Sequence, residues 1–138
     1  TIKRVSCKFQ AVDLIKKFDT FQHSFDFAFD WEVLHHIFPD DRRQYVKNVW
    51  QLLEPDGKYL RVCFSELDQA FGSSEKYRET SIGTLLYFSS EDELRELFSP
   101  WFKIIDLKII EVSGKTSPHK AYCLFMKKIN QDSRLPWF

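Results

Sequence analysis

Three residues with the potential for chemistry follow a short apolar run, FDFAF, at positions 25 to 29. They are Asp30, Trp31 and Glu32. A carboxylate can take up a proton during a reaction, and an indole ring can stack on a ring or a cation. The run predicts a buried strand, and ligands of open α/β sheets bind outside the carboxyl ends of the strands. The sequence therefore predicts a ligand site at residues 30–32.

A second acidic residue, Asp13, follows another stretch with strand character. Residues Val5 to Val12, VSCKFQAV, alternate imperfectly and place apolar side chains on one face. A carboxylate at a strand end accepts hydrogen bonds from an amine and has no donor of its own. The same residue type also caps turns and helices. The residues alone leave binding and capping open.

Two adjacent histidines, His35 and His36, raise the question of a metal site. Adjacent side chains on a helix point about 100° apart, whereas zinc requires ligands that converge. No H-x-x-x-H or H-x-E spacing accompanies them. The sequence therefore predicts no metal site, and the isolated His23 and His119 are interpreted as surface or strand residues.

A βαβ unit positions the candidate site at residues 30–32. Its predicted parts are a strand (Phe25 to Phe29), a short turn and helix (Trp31 to Ile37), an amphipathic helix (Asp41 to Leu53) and a second strand (Lys58 to Phe64). Apolar residues recur at helical spacing in the long helix, and a Pro-Asp-Gly turn precedes the second strand. Such a unit requires parallel strands and a right-handed crossover.

A long segment without periodicity follows the βαβ unit, from Ser65 to Tyr87. Segments of this length are typical of lids and binding loops. Its aromatic residues Tyr77 and Tyr87, with Phe88, would form the walls of a substrate site or, alternatively, anchor the loop to the core.

The last part of the chain predicts a helix and a hairpin. Ser90 and Glu93 have the spacing of a capping box, which starts a helix. Two apolar strands, Phe102 to Val112 and His119 to Lys128, are separated by only six residues, which favours antiparallel pairing. We predict one domain over residues 1–128 and a C-terminal tail over residues 129–138.

Composition restricts the class of protein. A chain of 138 residues provides for one domain, and its 20 basic and 20 acidic residues form no basic block, which argues against a nucleic-acid partner. No apolar run approaches the roughly 20 residues that a membrane span needs. Three widely spaced cysteines without a C-x-x-C motif favour free thiols in a reducing compartment. We therefore predict a cytoplasmic protein without a membrane partner.

The most specific pattern combines a strand that ends in acidic residues, the run EVLHHI, and a helix that finishes in LLEPDGKYL and enters a strand. In this pattern the chain resembles the class I S-adenosylmethionine-dependent methyltransferases, from about Val5 to Lys128. The resemblance implies an α/β fold with a Rossmann-like, mostly parallel sheet and helices on both faces. It also implies a C-terminal antiparallel hairpin whose last strand inserts beside the fifth.

The resemblance also implies roles for individual residues. An acidic residue in the position of Asp13 binds the exocyclic amine of adenine in that family, and Leu14 would offer a backbone amide and an apolar surface. Residues 30–32 would face the sulfonium and the substrate. The expected cofactor-binding residues are Asp13, Leu14, Asp30 and Trp31, the expected catalytic residues are Asp30 and Glu32, and the expected substrate-binding residues are Trp31, Tyr77 and Tyr87.

The Gly-rich cofactor turn of the family is missing from these residues. The resemblance therefore implies a longer protein, whose N-terminal βαβ part precedes Val5 and places two strands between those ending at Asp13 and Asp30. In that strand order, residues 5–12 and 25–29 do not pair. We expect transfer of a methyl group from S-adenosylmethionine to a small-molecule acceptor. The alternative is a non-catalytic, methyltransferase-like scaffold.

Overall fold

The computed structural model describes residues 3–130, and a four-stranded mixed sheet forms its centre. The strands in chain order are β1 (Phe25–Trp31), β2 (Leu53–Phe64), β3 (Tyr77–Glu79), β4 (Leu85–Tyr87), β5 (Phe102–Val112) and β6 (His119–Lys128). The central sheet has the order β1-β2-β6-β5, and β3 and β4 form a separate hairpin. β1 and β2 are parallel, whereas β6 is antiparallel to both of its neighbours. The predicted βαβ unit and C-terminal hairpin are confirmed.

Helix α1 (Pro39–Leu52) forms the crossover from β1 to β2 and follows a short 3-10 helix, Leu34–His36. Pro39 begins the helix because its fixed φ suits the first turn, where no amide partner is required. Asp40 and Asp41 lie in that turn, next to the positive end of the helix dipole. The helix therefore begins two residues earlier than the sequence predicted.

No separate turn connects α1 to β2, because the strand begins at Leu53, directly after the helix. The β1–β2 register moves from Phe25 opposite Leu53 to Phe27 opposite Lys58, so residues 54–57 bulge out of the ladder. A Cβ atom at Gly57 would lie 2.9 Å from the carbonyl oxygen of Glu54. Glycine is required here because no side chain fits in that space.

Helix α2 (Glu91–Phe98) begins with the predicted capping box. The Ser90 hydroxyl accepts a hydrogen bond from the Glu93 amide at 3.2 Å, and the Glu93 carboxylate accepts one from the Ser90 amide at 3.4 Å. A second 3-10 helix, Ala70–Gly72, lies in the segment that the sequence predicted as a loop.

Both α-helices pack on the same face of the sheet. The main apolar cluster joins them to β2, β5 and β6, and its fully buried members include Val46, Leu53, Leu94, Phe98, Leu124 and Met126. A second cluster lies on the opposite face, where Leu86 and Phe88 cover Val62, Phe64 and Ala121. The sequence predicted helices on both faces, whereas the segment around β4 provides the cover on this second face in the described residues.

The prediction of a strand over Val5–Val12 is wrong. Residues 3–12 have no regular secondary structure, and Phe9 is 95% exposed. An isolated strand leaves its backbone groups without partners, so it forms only beside another strand. Within residues 3–130 no backbone ladder joins residues 5–12 to β1, and Cys7 is exposed.

β1 presents a row of exposed aromatic side chains on the face opposite α1. Phe25, Phe27, Phe29 and Trp31 alternate along the strand, and between 45% and 69% of each is exposed. The pattern FDFAF thus predicted the strand correctly but not its burial. Among residues 3–130, no helix is both long and apolar enough to cross a membrane. The predicted tail lies outside the described residues from residue 131 onward.

Candidate functional site

Three segments meet at the carboxyl end of the parallel strands. The Glu32 amide donates to the Val62 carbonyl at 2.8 Å, which ties the end of β1 to β2. The Ser65 amide donates to the Lys120 carbonyl at 3.0 Å, which ties the end of β2 to the beginning of β6. Residues 30–36, 64–68 and 119–120 therefore share the sheet edge at which the sequence predicted a ligand site.

Asp30 points into the core rather than out of this edge. Its side chain is buried beneath α1, where the hydroxyls of Tyr45 and Tyr59 both donate to its Oδ2. Arg61, which is fully buried, places Nη2 3.4 Å from Oδ1. In the described residues, every polar contact of this carboxylate is therefore with the core beneath α1.

The ionisation of the neighbouring groups follows from this arrangement. Burial raises the pKa of the Tyr45 hydroxyl, and the negative charge of Asp30 raises it further. The pKa of Tyr59 is raised for the same two reasons. Burial opposes the charge of Arg61, but attraction to Asp30 outweighs burial and raises the pKa of the guanidinium. The cluster consequently holds one fixed ion pair and two neutral hydroxyls.

Trp31 and Glu32 remain at the surface of the edge. Trp31 is 51% exposed and lies on the opposite side of β1 from Asp30. Glu32 has a φ of 60°, a left-handed conformation that is uncommon for a residue with a side chain. These two residues keep the exposure that ligand binding requires.

His35 joins the end of β1 to the end of β2. Its Nδ1 accepts a hydrogen bond from the Phe64 amide at 3.2 Å, and its ring stacks on the Phe64 ring with centroids 4.0 Å apart. Burial, aided by His36 and Arg61, lowers the pKa of His35 to about 3. The imidazole is therefore neutral and acts as an acceptor.

No group of three or more histidine, cysteine, aspartate or glutamate side chains converges on a metal site in residues 3–130.

A histidine–carboxylate pair that the sequence did not predict lies at this edge of the sheet. His119 begins β6 and places Nδ1 2.9 Å from Oδ2 of Asp68. Asp68 also accepts hydrogen bonds from the amides of Lys120 at 2.9 Å and Ala70 at 3.2 Å. Burial opposes the charge of Asp68, but these hydrogen bonds and His119 lower its pKa below the usual value. Asp68 is therefore an anion held by three donors.

The only signal of this pair in the sequence was the position of His119. It opens the last strand of a predicted antiparallel hairpin, and an antiparallel neighbour of β2 begins where β2 ends. Asp68 lies 51 residues earlier, in a segment without periodicity. No local sequence pattern could have predicted that Asp68 and His119 form a pair.

The segment predicted as a binding loop is fastened by a buried arginine. The guanidinium of Arg78 donates to the carbonyls of Glu66, Asp68 and Glu75 at 2.9, 2.6 and 2.6 Å. It also lies 3.9 Å above the centre of the Phe88 ring. The loop conformation around Asp68 is therefore set by its own side chains.

The two tyrosines of this segment have different environments. Tyr77 and Tyr87 are opposite each other in the β3–β4 hairpin, with ring centroids 4.9 Å apart. Tyr87 is buried and donates its hydroxyl to Glu93 at 2.6 Å, and Tyr77 is half exposed against Phe38. The position of Tyr87 fits a core anchor, whereas Tyr77 is accessible.

Asp13 and Leu14 lie in a turn, because no strand precedes them. Asp13 is half exposed and accepts a hydrogen bond from the Ile15 amide at 3.2 Å. The buried Asn48 donates to the carbonyls of Leu14 at 3.0 Å and Lys16 at 2.8 Å, which fixes the turn to α1. Leu14 also lines a cavity of about 600 Å³ whose other walls include Phe18, Phe21 and Phe25.

Part of the chain matches a known protein family. A family described as "Methyltransferase domain" matches residues 3–60. This range contains the first turn, β1, α1 and the beginning of β2. No curated protein matches the chain.

Solved structures share the fold over most of the chain. An S-adenosylmethionine-dependent methyltransferase from Methanosarcina mazei is 18% identical, with a TM-score of 0.71 over 86% of this chain and 66% of that one. A 1,6-didemethyltoxoflavin N1-methyltransferase from Burkholderia thailandensis is 23% identical, with a TM-score of 0.63 over 85% of this chain and 48% of that one. The chain thus spans between about half and two thirds of these two proteins.

Proposed function

We propose that the chain is part of an enzyme that methylates a small molecule. The predicted resemblance to class I S-adenosylmethionine-dependent methyltransferases, the family match and the shared fold support this proposal. The observation that carries the proposal is the strand order β1-β2-β6-β5, built on a βαβ unit that contains EVLHHI and LLEPDG. The match of residues 3–60 to a methyltransferase family supports it from sequence alone.

S-adenosylmethionine, which would supply a reactive methyl group on a sulfonium, fits part of this chain. The Asp13 carboxylate is accessible and is an acceptor suited to the adenine amine. The cavity beside Leu14 offers an apolar wall for a ring. The fit is incomplete, because these residues contain no Gly-rich turn and Asp30 is engaged in the core. We propose that further residues of the native protein complete the cofactor site.

A small-molecule acceptor is the second part of the proposal. The structure of the Burkholderia enzyme holds 1,6-didemethyltoxoflavin and S-adenosylhomocysteine, a small heterocycle and a cofactor product. In this chain Trp31 and Tyr77 are the accessible aromatic side chains among those proposed to bind substrate. Glu32 is proposed to act on the substrate, and Asp30 to position the end of β1.

One observation favours the alternative of a non-catalytic scaffold. The carboxylate of Asp30 holds α1 against the sheet through Tyr45 and Tyr59, which is a structural role that needs no ligand. A methyltransferase-like domain without cofactor binding would keep this cluster. The two proposals differ in whether the native protein binds the cofactor.

Titration calorimetry with S-adenosylhomocysteine separates the two proposals. We expect micromolar binding by the native protein that contains this chain, and weak or no binding by the 138 residues alone. A folded native protein without measurable binding would overturn the enzyme and favour the scaffold. Low-micromolar binding by the isolated chain would instead show that another segment replaces the Gly-rich turn.

A further inference from the structure

The pair formed by Asp68 and His119 has the composition of a proton-accepting site. Asp68 is almost fully buried and ionised, so its oxygens only accept hydrogen bonds. Nδ1 of His119 must therefore carry the proton in the 2.9 Å contact with Asp68. In the neutral ring this leaves a lone pair on Nε2, which is the atom that a general base uses.

Two aromatic rings pack near the imidazole ring of His119. Phe64 lies with its ring centroid 4.7 Å from that of His119, and Phe71 with its centroid 6.2 Å away. Phe64 is in turn stacked on His35. The ring is thus fixed at the same sheet edge as the end of β2, where ligands of this class of fold bind.

Glycine at position 114, in the β5–β6 connection, leaves room beside Nε2 of His119. A Cβ atom on Gly114 would lie 2.9 Å from Nε2, so any other residue there would crowd the imidazole ring. A fifth of the His119 side chain remains exposed. His119 and Asp68 line a cavity of about 470 Å³, together with Leu67, Glu111, Pro118 and Lys120. This volume is within the range of small-molecule sites.

We propose that this cavity binds the methyl acceptor and that His119 is its general base, an inference that rests on the proposed function. The acceptor is a small molecule whose reacting atom bears a proton, as the oxygen of a hydroxyl or the nitrogen of an N–H group does. The bond to that proton breaks, the proton moves to Nε2 of His119, and the electron pair stays on the acceptor atom. The acceptor atom would then be the nucleophile for the methyl group, and the electron pair of the broken sulfur–methyl bond would stay on the sulfur of the donor. Asp68 is a positioning residue that fixes the tautomer.

The competing role is purely structural, in which the pair only fastens the loop to β6. Nitrogen-15 NMR of the native protein distinguishes the two roles, with the His119 signals assigned from their loss in His119→Gln. We expect the Nδ1–H tautomer in the wild type and its loss in Asp68→Ala. His36→Gln, which changes an exposed histidine near the same edge, is the control and should leave the His119 signals in place.

Phenol is the probe for the cavity, and anisole is its matched control without a proton to give. We expect phenol to shift the Nε2 resonance of His119 saturably and anisole to leave it unchanged. An Nε2–H tautomer, no shift with phenol, or equal shifts with both compounds would overturn the proposal, even if Asp68→Ala fails to fold. The NMR measurement needs no cofactor, so its result is independent of S-adenosylhomocysteine binding. A native protein that does not bind S-adenosylhomocysteine would overturn the proposed methyltransferase function, but it would not overturn proton acceptance by His119 in this cavity.

Discussion

β1 and β6 are both neighbours of β2, but they are held to it by different forces. β6 pairs with β2 and β5, and its side chains Ala121, Leu124 and Met126 are fully buried in the two apolar clusters. In the described residues β1 pairs with β2 alone, and four of its seven side chains are exposed aromatic rings. Its side chains contact the core mainly through the charge and hydroxyl contacts of Asp30, together with the partly buried Ala28.

The difference teaches that one half of this sheet depends on apolar burial and the other on a few specific polar contacts. Burial is spread over many atoms, so it tolerates change at single positions outside the core. The stabilisation by a buried ion pair depends on only two groups. Removing one of them leaves the charge of the other buried and unpaired. The comparison can therefore be tested by single substitutions on each side of β2.

The largest effect is expected at Asp30. Asp30→Ala leaves the fully buried Arg61 without its counter-charge and removes the acceptor of two tyrosine hydroxyls. Breaking a buried pair in this way costs about 3–5 kcal/mol. Urea unfolding followed by circular dichroism measures the loss. Asp26→Ala changes an exposed aspartate of the same strand and should cost under about 0.5 kcal/mol; equal losses would mean that Asp30 has no special role.

The next effect tests the apolar side of the comparison. Leu124 of β6 is fully buried between the sheet and the helices, so Leu124→Ala should cost about 2–5 kcal/mol through lost burial and a cavity. Leu67→Ala, at a leucine that is half exposed, is the matched control and should change stability by less than about 0.5 kcal/mol. Thermal unfolding of the two variants measures these losses of stability. A small loss of stability for Leu124→Ala would contradict the view that apolar burial holds β6 in the sheet.

The elements that could be predicted from the sequence are those whose partners are local. The β5–β6 hairpin follows from two apolar runs and a six-residue connection, and the capping box at Ser90 follows from a spacing of three. Residues 5–12 have a similar alternation but no neighbouring strand in the described residues, so the pattern alone was misleading. Pairing of β1 with strands from a preceding segment stays a prediction.

The polar contacts of the site were less predictable for the same reason. Asp30 was recognised from its position after β1, but its partner Arg61 is 31 residues away and its burial depends on α1. Asp68 and His119 are 51 residues apart. The fold, rather than a motif, brings each pair together.

A smaller effect, on binding rather than folding, is expected at Asp13. In the native protein, Asp13→Ala should weaken S-adenosylhomocysteine binding by about 1.5–3 kcal/mol, the value of one hydrogen bond to a charged group. Asp19→Ala changes another exposed aspartate of the same segment and should leave the dissociation constant unchanged. Calorimetry on both variants makes the comparison, and an unchanged constant for Asp13→Ala would reduce Asp13 to the cap of its own turn.

The smallest effect on the free energy of unfolding is expected from a change of pH. It acts at His35, the histidine that joins the end of β1 to the end of β2. His35 is neutral in the folded protein because burial lowers its pKa from 6.5 to about 3. Between pH 6.5 and about 3, His35 is protonated in the unfolded chain but neutral in the folded chain. Its contribution to stability is therefore fully present above pH 6.5 and is lost as the solution is acidified. The loss should be about 1 kcal/mol between pH 6.5 and 5.5.

The variant His35→Gln isolates this contribution. Glutamine does not titrate, and its carbonyl can accept the hydrogen bond of the Phe64 amide. The difference in unfolding free energy between the wild type and His35→Gln, measured in urea at several pH values, should therefore shrink on acidification from pH 7 to 5. His36→Gln changes the exposed neighbour and should leave the pH slope of the wild type intact. A difference that stays constant over this range would mean that His35 takes up protons in the folded protein as it does in the unfolded chain, and the acceptor role at the end of β2 would fall with it.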